Sequence, residues 1–207
     1  MSAATSARPS AGQPGRIAHN GHMDLDAFAS LVRARRTNLK VDRERPVPPE
    51  LVERLCELAT WAPNHHRTWP WRFAALTGDA RARLGDIIGD WQEAAGDPPA
   101  RVEKSRGKYL RAPLVLVVAC SPDPDARRAA EDRDAVAAGI SNLLLGATAA
   151  GLASYWGTGL VVDVPGVREL CGFEPGDVVL AAIYVGWPLG PAPEAPARPR
   201  PALTHVA

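Results

Sequence analysis

The spacing of hydrophobic and polar positions divides most of the chain between helices and strands. Helical spacing first appears behind Asp24, a good N-cap residue, and predicts a helix that ends near Arg35. Pro48 and Pro49 open a second amphipathic helix, because proline is tolerated in a first helical turn. The same spacing predicts four more helices, over residues 79–95, 101–110, 134–150 and 164–171.

Two continuous apolar runs, over residues 114–120 and 178–185, are typical of strands buried on both faces. Shorter strand patterns occupy residues 71–76 and 153–156. The predicted helix over 134–150 is rich in Ala, Leu and Gly and is apolar nearly all round, which predicts a central position. Helices that alternate with a few buried strands indicate that helices and sheet pack in layers.

The length of 207 residues fits one substantial domain. Residues 1–22 are rich in Ala, Ser, Gly and Pro, and they cannot bury enough apolar surface to offset the entropy of ordering. They are therefore predicted to form a disordered tail, and residues 23–188 to form the domain. Residues 189–207 are rich in Pro and Ala and are predicted to form an extended C-terminal arm without a core of its own.

Composition narrows the class of protein. Hydrophobic residues make up 46% and charged residues 23%, which excludes wholesale disorder. The net charge of +1 argues against a protein that coats nucleic acid. The three cysteines are far apart and fit a reducing cytosol, and neither a secretory signal nor an apolar run of about 20 residues for a membrane span is visible. A cytoplasmic protein is expected.

The end of the first helix carries Arg35, Arg36 and Thr37 in succession. Two guanidinium groups and a hydroxyl supply the donors that a phosphate group requires. A solvated basic helix end, where arginine also favours the helix dipole, explains the same residues without a ligand.

The loop over residues 61–71 contains three Trp, two His and an Arg, an unusual density for a loop. Flat rings of this kind suit a planar aromatic ligand, although tryptophans that pack the loop onto the core are an equal alternative. His65 and His66 could bind a metal ion, but adjacent histidines rarely point at one ion and no third ligand lies at a suggestive spacing. No metal site is therefore assigned.

The glycine-rich segment over residues 146–159 does not follow a strand and open a helix, so a dinucleotide-binding or P-loop interpretation fails. Close approach of the backbone to a ligand and simple helix packing both remain open. Since no catalytic triad, carboxylate pair or Cys–His couple can be placed by spacing, no catalytic residue is assigned, and a bound cofactor is expected to carry the chemistry.

Taken in order, these clusters resemble the nitroreductase family of FMN-dependent oxidoreductases. The resemblance covers roughly residues 25–188 and rests on three motifs and the last strand. The motifs read Arg35-Arg36-Thr37, Ala62-Pro63-Asn64-His65 with Pro70-Trp71-Arg72-Phe73, and Gly151-Leu152 with Trp156-Gly157-Thr158-Gly159. The closest similarity is to the short subgroup of NAD(P)H nitroreductases that keeps His in the Ala-Pro loop.

The resemblance implies an α+β fold with a central mixed sheet between helices, and an interleaved homodimer with FMN at the interface. It implies that the FMN-binding residues are Arg35, Arg36, Thr37, Trp61, His65, Trp156, Gly157 and Thr158. The stretch that it assigns to the nicotinamide nucleotide, NADH or NADPH, comprises Gly146, Ala147, Thr148, Ala149, Ala150 and Gly151. The implied reaction is a ping-pong reduction of a nitroaromatic, quinone or related small-molecule acceptor.

Three residues depart from the family pattern. Arg67 and Trp69 replace the Asn and Gln that many members have before the Pro-Trp pair, and Leu39 replaces a Lys beside the flavin. The departures leave a flavin carrier with little turnover as an alternative, and a metal-binding protein using His65 and His66 as a more distant one. Whether Arg198 or Arg200 in the arm reaches the FMN of a second subunit stays open.

Overall fold

The computed structural model describes residues 24–206; the predicted tail over 1–22 lies outside them. The helices are α1 Leu25–Ala34, α2 Pro49–Thr60, α3 Asp79–Ala94, α4 Pro99–Arg106, α5 Ala126–Ala149 and α6 Pro165–Leu170, with 3-10 turns over Lys108–Arg111 and Gly159–Val162. The strands are β1 Trp71–Leu76, β2 Leu114–Cys120, β3 Ala153–Gly157 and β4 Val178–Gly186. None of the helices in this part of the chain is long and apolar enough to cross a membrane.

The four strands form one sheet in the order β1-β2-β4-β3. The two strands predicted to be buried, β2 and β4, are its central pair, and the α+β class is confirmed. The sheet differs from the expected mixed one, since all three strand pairs are antiparallel. Among residues 24–206, parallel pairing is limited to a bridge between Thr37 and Ser154 at the outer edge of β3.

Helices cover both faces of the sheet. Helices α2 and α5 pack on one face through residues such as Leu55, Ile140 and Leu143, which are almost completely buried. The other face packs against α3, α6 and the first 3-10 turn through Leu84, Val167 and Tyr109. The layers place the ends of α5 and the edge strand β3 at the surface, where the candidate residues lie.

Helix α5 is central, as predicted, but it begins about two turns earlier than the apolar pattern indicates. The first turns are charged and therefore carry no apolar signal. Asp125 caps them, because its carboxylate accepts hydrogen bonds from the backbone N–H groups of Arg127 and Arg128.

The residues that follow β4 run over the surface as an extended segment. Pro188 bridges to Val41, and the N–H of Leu189 donates to the carbonyl of Lys40 at 3.0 Å. Trp187 packs partly against the apolar cluster of α2 and α5, whereas Leu203 and Val206 stay exposed and residues 188–206 add nothing to either cluster.

Candidate functional site

Arg35 and Thr37 lie beside the edge strand β3. Helix α1 ends at Ala34 and Arg35 takes an extended conformation. The bridge from Thr37 to Ser154, together with the hydrogen bond from the N–H of Asn38 to the carbonyl of Ser154 at 3.0 Å, places this segment along β3. No described residue accepts a hydrogen bond from the Arg35 guanidinium, so this cation remains available to an anion.

Arg36, which is also expected to contact FMN, donates to backbone carbonyls of the chain itself. Its Nε donates to the carbonyl of Pro193 in the arm at 3.0 Å, and one terminal nitrogen donates to the carbonyls of Arg33 and Arg35. The guanidinium therefore ties the end of α1 to the C-terminal arm.

A pocket of about 240 Å³ joins this segment to the C-terminal end of α5. Arg36 and Asn38 line one side, Thr148 and Gly151 another, and Pro188 at the start of the arm a third. Gly151 has φ +76° and ends the helix, a backbone conformation that glycine adopts at no steric cost. The pocket thus brings the first and third sequence clusters together.

The stretch expected to bind the nicotinamide nucleotide divides into two parts. A Cβ at Gly146 would lie 2.7 Å from a methyl carbon of Leu58, and Ala147 is fully buried, so these two residues pack α5 against the core. The remaining four, Thr148, Ala149, Ala150 and Gly151, reach the surface at the end of the helix.

Trp156, Gly157 and Thr158 lie at the far end of the edge strand. Trp156 pairs with Ile183 of β4 and is 37% exposed. A Cβ at Gly157 would lie 3.0 Å from the ring of Tyr155 and 3.4 Å from the ring of Tyr184, so the backbone of the strand lies close to both rings. From Ser154 to Thr158 the strand extends about 13 Å, at 3.3 Å per residue.

The aromatic loop carries two exposed tryptophans and one buried one. Trp61 is 76% exposed and Trp69 is 61% exposed, whereas Trp71 is buried with its Nε1 donating to the carbonyl of Ala135 at 3.3 Å. Ring packing therefore explains Trp71, and it does not explain the other two.

Arg67 and Trp69 have positive φ angles, 55° and 54°, which side chains other than glycine rarely adopt. The side chain of Asn64 holds this turn, since its Oδ1 accepts the N–H of Trp69 at 3.0 Å. Thr68 donates to the buried carboxylate of Asp132 and so attaches the loop to α5. This network holds the backbone of the turn at Trp69.

His65 and His66 meet a carboxylate that spacing could not reveal. Oε2 of Glu131, on α5, lies 3.0 Å from His65 Nδ1 and 3.4 Å from His66 Nε2, although His65 is 66 residues away in sequence. The hydrogen bond from His65 lowers the pKa of Glu131, and nearby Arg127 acts in the same direction. The three side chains have the donor atoms and separations of a possible metal site.

His65 and the segment of Arg35, Arg36 and Thr37, which are expected to contact the same FMN, lie near opposite ends of α5. His65 contacts Glu131 near the start of the helix, and the group around Arg36 lies beside Thr148 near its end. Glu131 and Thr148 are about 25 Å apart at 1.5 Å per residue. One chain therefore does not bring His65 to the segment of Arg35 and Thr37.

The family model described as the nitroreductase family matches residues 32–187. The candidate NAD(P)H nitroreductase YdjA of Escherichia coli is 26% identical over 167 residues, which cover 79% of this chain and 89% of YdjA. A crystal structure of a nitroreductase-like family protein from Bacillus cereus superposes with a TM-score of 0.70 at 27% identity, covering 84% of this chain and 91% of that one.

The FMN-dependent nitroreductase NfnB of Mycobacterium smegmatis, solved in complex with NADPH, has the same fold. Its TM-score is 0.62 at 23% identity, over 80% of this chain and 90% of NfnB. The fold, the order of the motifs and the family match over most of the chain agree. The chain belongs to the nitroreductase family.

Proposed function

We propose that the chain is an FMN-dependent oxidoreductase that uses NADH or NADPH to reduce nitroaromatic, quinone or related acceptors. Membership of the family supports the reaction class, and NfnB, which is named FMN-dependent and was solved with NADPH, has the same fold. The observation that carries the proposal is the division of the candidate residues between the two ends of α5, since a site between two copies would unite them.

The residues along β3 fit an elongated anionic cofactor. Arg35 offers a guanidinium with no partner in the described part of the chain, and Thr37 offers an exposed hydroxyl, so these residues would hold the phosphate. Trp156, Gly157 and Thr158 would follow the flavin ring at the other end of the strand. The separation of the two ends is comparable with the length of an extended FMN molecule.

A second copy would supply Trp61 and His65. The apolar face of α1 supports such an interface, because Leu25 is 76% exposed and Phe28 and Val32 are also exposed. The extended arm, which buries nothing in its own chain, supports it independently. Homodimers that interleave in this way bury large apolar interfaces, commonly above about 2,000 Å².

When bound, FMN supplies the hydride chemistry. The chain would hold the phosphate with Arg35, stack Trp61 and Trp156 about the ring region, and exclude water there with these aromatic side chains. The nucleotide and the acceptor would occupy the same face in turn, which is the ping-pong order. Water can supply the protons, so no side chain is assigned as an essential acid.

The visible absorption spectrum of the purified protein tests this proposal. We expect a yellow protein with flavin bands that oxidises NADH or NADPH in air. A colourless protein that takes up no FMN on reconstitution would contradict the proposal. Stopped-flow reduction separates an enzyme from a flavin carrier with little turnover, since a carrier would be reduced by NAD(P)H only slowly.

A metal-binding role is the second candidate, and the position of Glu131 between His65 and His66 favours it. Arg127 lies 3.6 Å from the other oxygen of the same carboxylate and opposes a cation there. Titration of the purified protein with Zn²⁺ tests this role, with Glu131→Gln as the matched variant. Binding that Glu131→Gln leaves unchanged would exclude the site.

A further inference from the structure

A second pocket, of about 490 Å³, opens on the other face of the sheet between α3, α4 and the two 3-10 turns. We refer to it as the basic pocket. Its lining includes Arg101, Lys104, Lys108 and Arg111, together with Gln92 and Gly159. Two of the three lysines in the chain are among these residues.

The positive charge in the basic pocket is largely uncompensated. Arg101 is paired with Asp97 at 2.9 Å. Within residues 24–206, no carboxylate lies within 4.0 Å of Lys104, Lys108 or Arg111. Arg106, which lies outside the pocket, has three carboxylates within that distance. Burial of the Lys108 ammonium, together with the nearby charges of Arg111 and Lys104, lowers its pKa. An unliganded cluster of this kind costs the fold free energy, and an anion would remove that cost.

Two buried tyrosines fix the positions of the cations. The rings of Tyr109 and Tyr184 stack with centroids 5.9 Å apart. Lys108 Nζ lies 5.6 Å from the first ring and the Arg111 guanidinium 5.4 Å from the second. Arg111 Nε also donates to the carbonyl of Lys108 at 2.9 Å. The two charges are therefore held next to each other before any ligand arrives.

The wall of the basic pocket also contains an unsatisfied acceptor. Gln92 is fully buried, and its Nε2 donates to Asp97 at 2.7 Å, which defines the orientation of the amide. Its Oε1 has no hydrogen-bond donor among the described residues. Buried acceptors without a partner are uncommon in folded proteins.

The basic pocket adjoins the segment proposed to follow the flavin. Gly159 comes directly after Thr158, and a Cβ placed on Gly159 would lie 3.4 Å from Lys108 Nζ. The ammonium group therefore lies against the backbone of this segment. A molecule that reacts at the flavin could extend from there into the basic pocket.

We propose that the basic pocket binds a phosphate or carboxylate group of a small-molecule substrate of the flavin site. Charge-assisted hydrogen bonds from Lys104, Lys108 and Arg111 would hold the anion. Anion binding rests on the geometry of the basic pocket alone, and its use by a substrate rests on the proposed function. The extra phosphate of NADPH and an acidic group on the electron acceptor are the two sources of this chemistry.

Inorganic phosphate tests the anion site on the full-length protein as purified, whether or not it contains flavin. We expect phosphate to raise the melting temperature of the wild type saturably, and Lys108→Gln to weaken phosphate binding about tenfold or more in calorimetry. In phosphate-free buffer we expect Lys108→Gln to melt at or above the wild-type temperature, because the substitution relieves repulsion; a merely structural lysine would give a lower value. Lys108→Arg should retain binding.

Arg54→Gln is the matched control, since Arg54 is an exposed cation on α2, on the opposite face of the sheet. Phosphate binding that Lys108→Gln leaves unchanged would overturn the anion site, and this result does not depend on flavin chemistry.

Steady-state kinetics distinguish the two sources. If NADPH is the source, Lys108→Gln should raise KM for NADPH about tenfold and leave KM for NADH unchanged. If the acceptor is the source, KM should rise for 4-nitrobenzoate and not for nitrobenzene. Equal effects on charged and uncharged substrates would overturn the use of the basic pocket by a substrate. A protein that binds phosphate through Lys108 but takes up no FMN would refute the proposed function and leave the anion site standing.

Discussion

Single residues here differ in whether the fold already satisfies their polar groups. The Arg36 guanidinium donates hydrogen bonds to backbone carbonyls, and the Glu131 carboxylate contacts two histidine rings. Arg35 and Lys108 have no such acceptors or carboxylates among the described residues. Cations without partners are the ones expected to bind anionic ligands.

Arg35→Ala tests the phosphate contact. We expect it to weaken FMN binding by about 1.5–3 kcal/mol, the usual contribution of a hydrogen bond to a charged group. Fluorescence quenching on titration of the apoprotein with FMN measures the change. Arg33→Ala is the control, because only the backbone carbonyl of Arg33 is used in the structure. An affinity unchanged by Arg35→Ala would mean that Arg35 is a solvated helix end.

The cysteines predict a loss of stability at alkaline pH. Burial raises the pKa of Cys56 and of Cys120 to about 11, against about 8.5 for a thiol in the unfolded chain. Above about pH 8.5 the unfolded chain therefore binds fewer protons than the folded one, and the free energy of unfolding falls as the pH rises. Urea unfolding at pH 8 and pH 10 should differ by about 1–2 kcal/mol for each such thiol.

Cys120→Ala should reduce this pH dependence, whatever its effect on stability at neutral pH. Fast reaction of all three thiols with Ellman's reagent in the native protein at pH 8 would contradict the prediction, since a protonated, buried thiol reacts slowly.

At the scale of elements, small residues bring α5 close to its neighbours. A Cβ at Gly139 would lie 2.6 Å from the carbonyl oxygen of Ala59 and 2.6 Å from Trp71 Nε1. A Cβ at Gly146 would lie 2.7 Å from a methyl carbon of Leu58 and 3.0 Å from one of Leu55, so α5 approaches α2 closely there too. The glycines of α5 thus set the distance between α2, α5 and β1, which in turn positions the aromatic loop.

Gly139→Ala should destabilise the protein. The added methyl group must displace the backbone of α2 or the ring of Trp71, at a cost of about 1–3 kcal/mol, which exceeds the gain of up to about 1 kcal/mol from replacing glycine in a helix. Urea unfolding followed by circular dichroism measures the difference. Gly176→Ala is the control, because no atom lies within 4 Å of its added Cβ. Equal stability of the two variants would show that the layers adjust freely.

At the scale of the whole molecule, one chain leaves its apolar α1 face and its arm uncovered. Leu25, Phe28 and Leu203 are all exposed. The proposed homodimer would cover these surfaces and join the two halves of the FMN site, so assembly and cofactor binding should depend on each other. In such a dimer the melting temperature rises with protein concentration.

Truncation after Trp187 should therefore release both the dimer and the flavin. Deletion of residues 2–21 is the control, because this predicted tail should contribute to neither. Light scattering measures the oligomeric state of the two truncated proteins, and the flavin absorbance measures their FMN content. A full-length protein that is monomeric and loaded with flavin would refute a site between subunits.

The sequence by itself determined the elements, because their signals are local. A short strand pattern places β1 over Trp71–Leu76, an apolar run places β2 over Leu114–Cys120 as observed, and Asp24 caps α1 as predicted. Local signals fail where a turn depends on one residue: the helix predicted over 101–110 divides into α4 and a 3-10 turn at Gly107. The family resemblance could also be recognised from the sequence, since each of its motifs consists of residues that are close together along the chain.

Only the tertiary structure decided which distant residues meet. Glu131 reaches His65 because α5 crosses beneath the aromatic loop, and Gln92 of α3 and Gly159 of the second 3-10 turn line the same pocket. The separation of His65 from the segment of Arg35 and Thr37 by most of the length of α5 likewise cannot be read from their order along the chain. Contacts of this kind follow from how helices pack on a sheet, and hydrophobic periodicity specifies which face of an element is buried without specifying its neighbour.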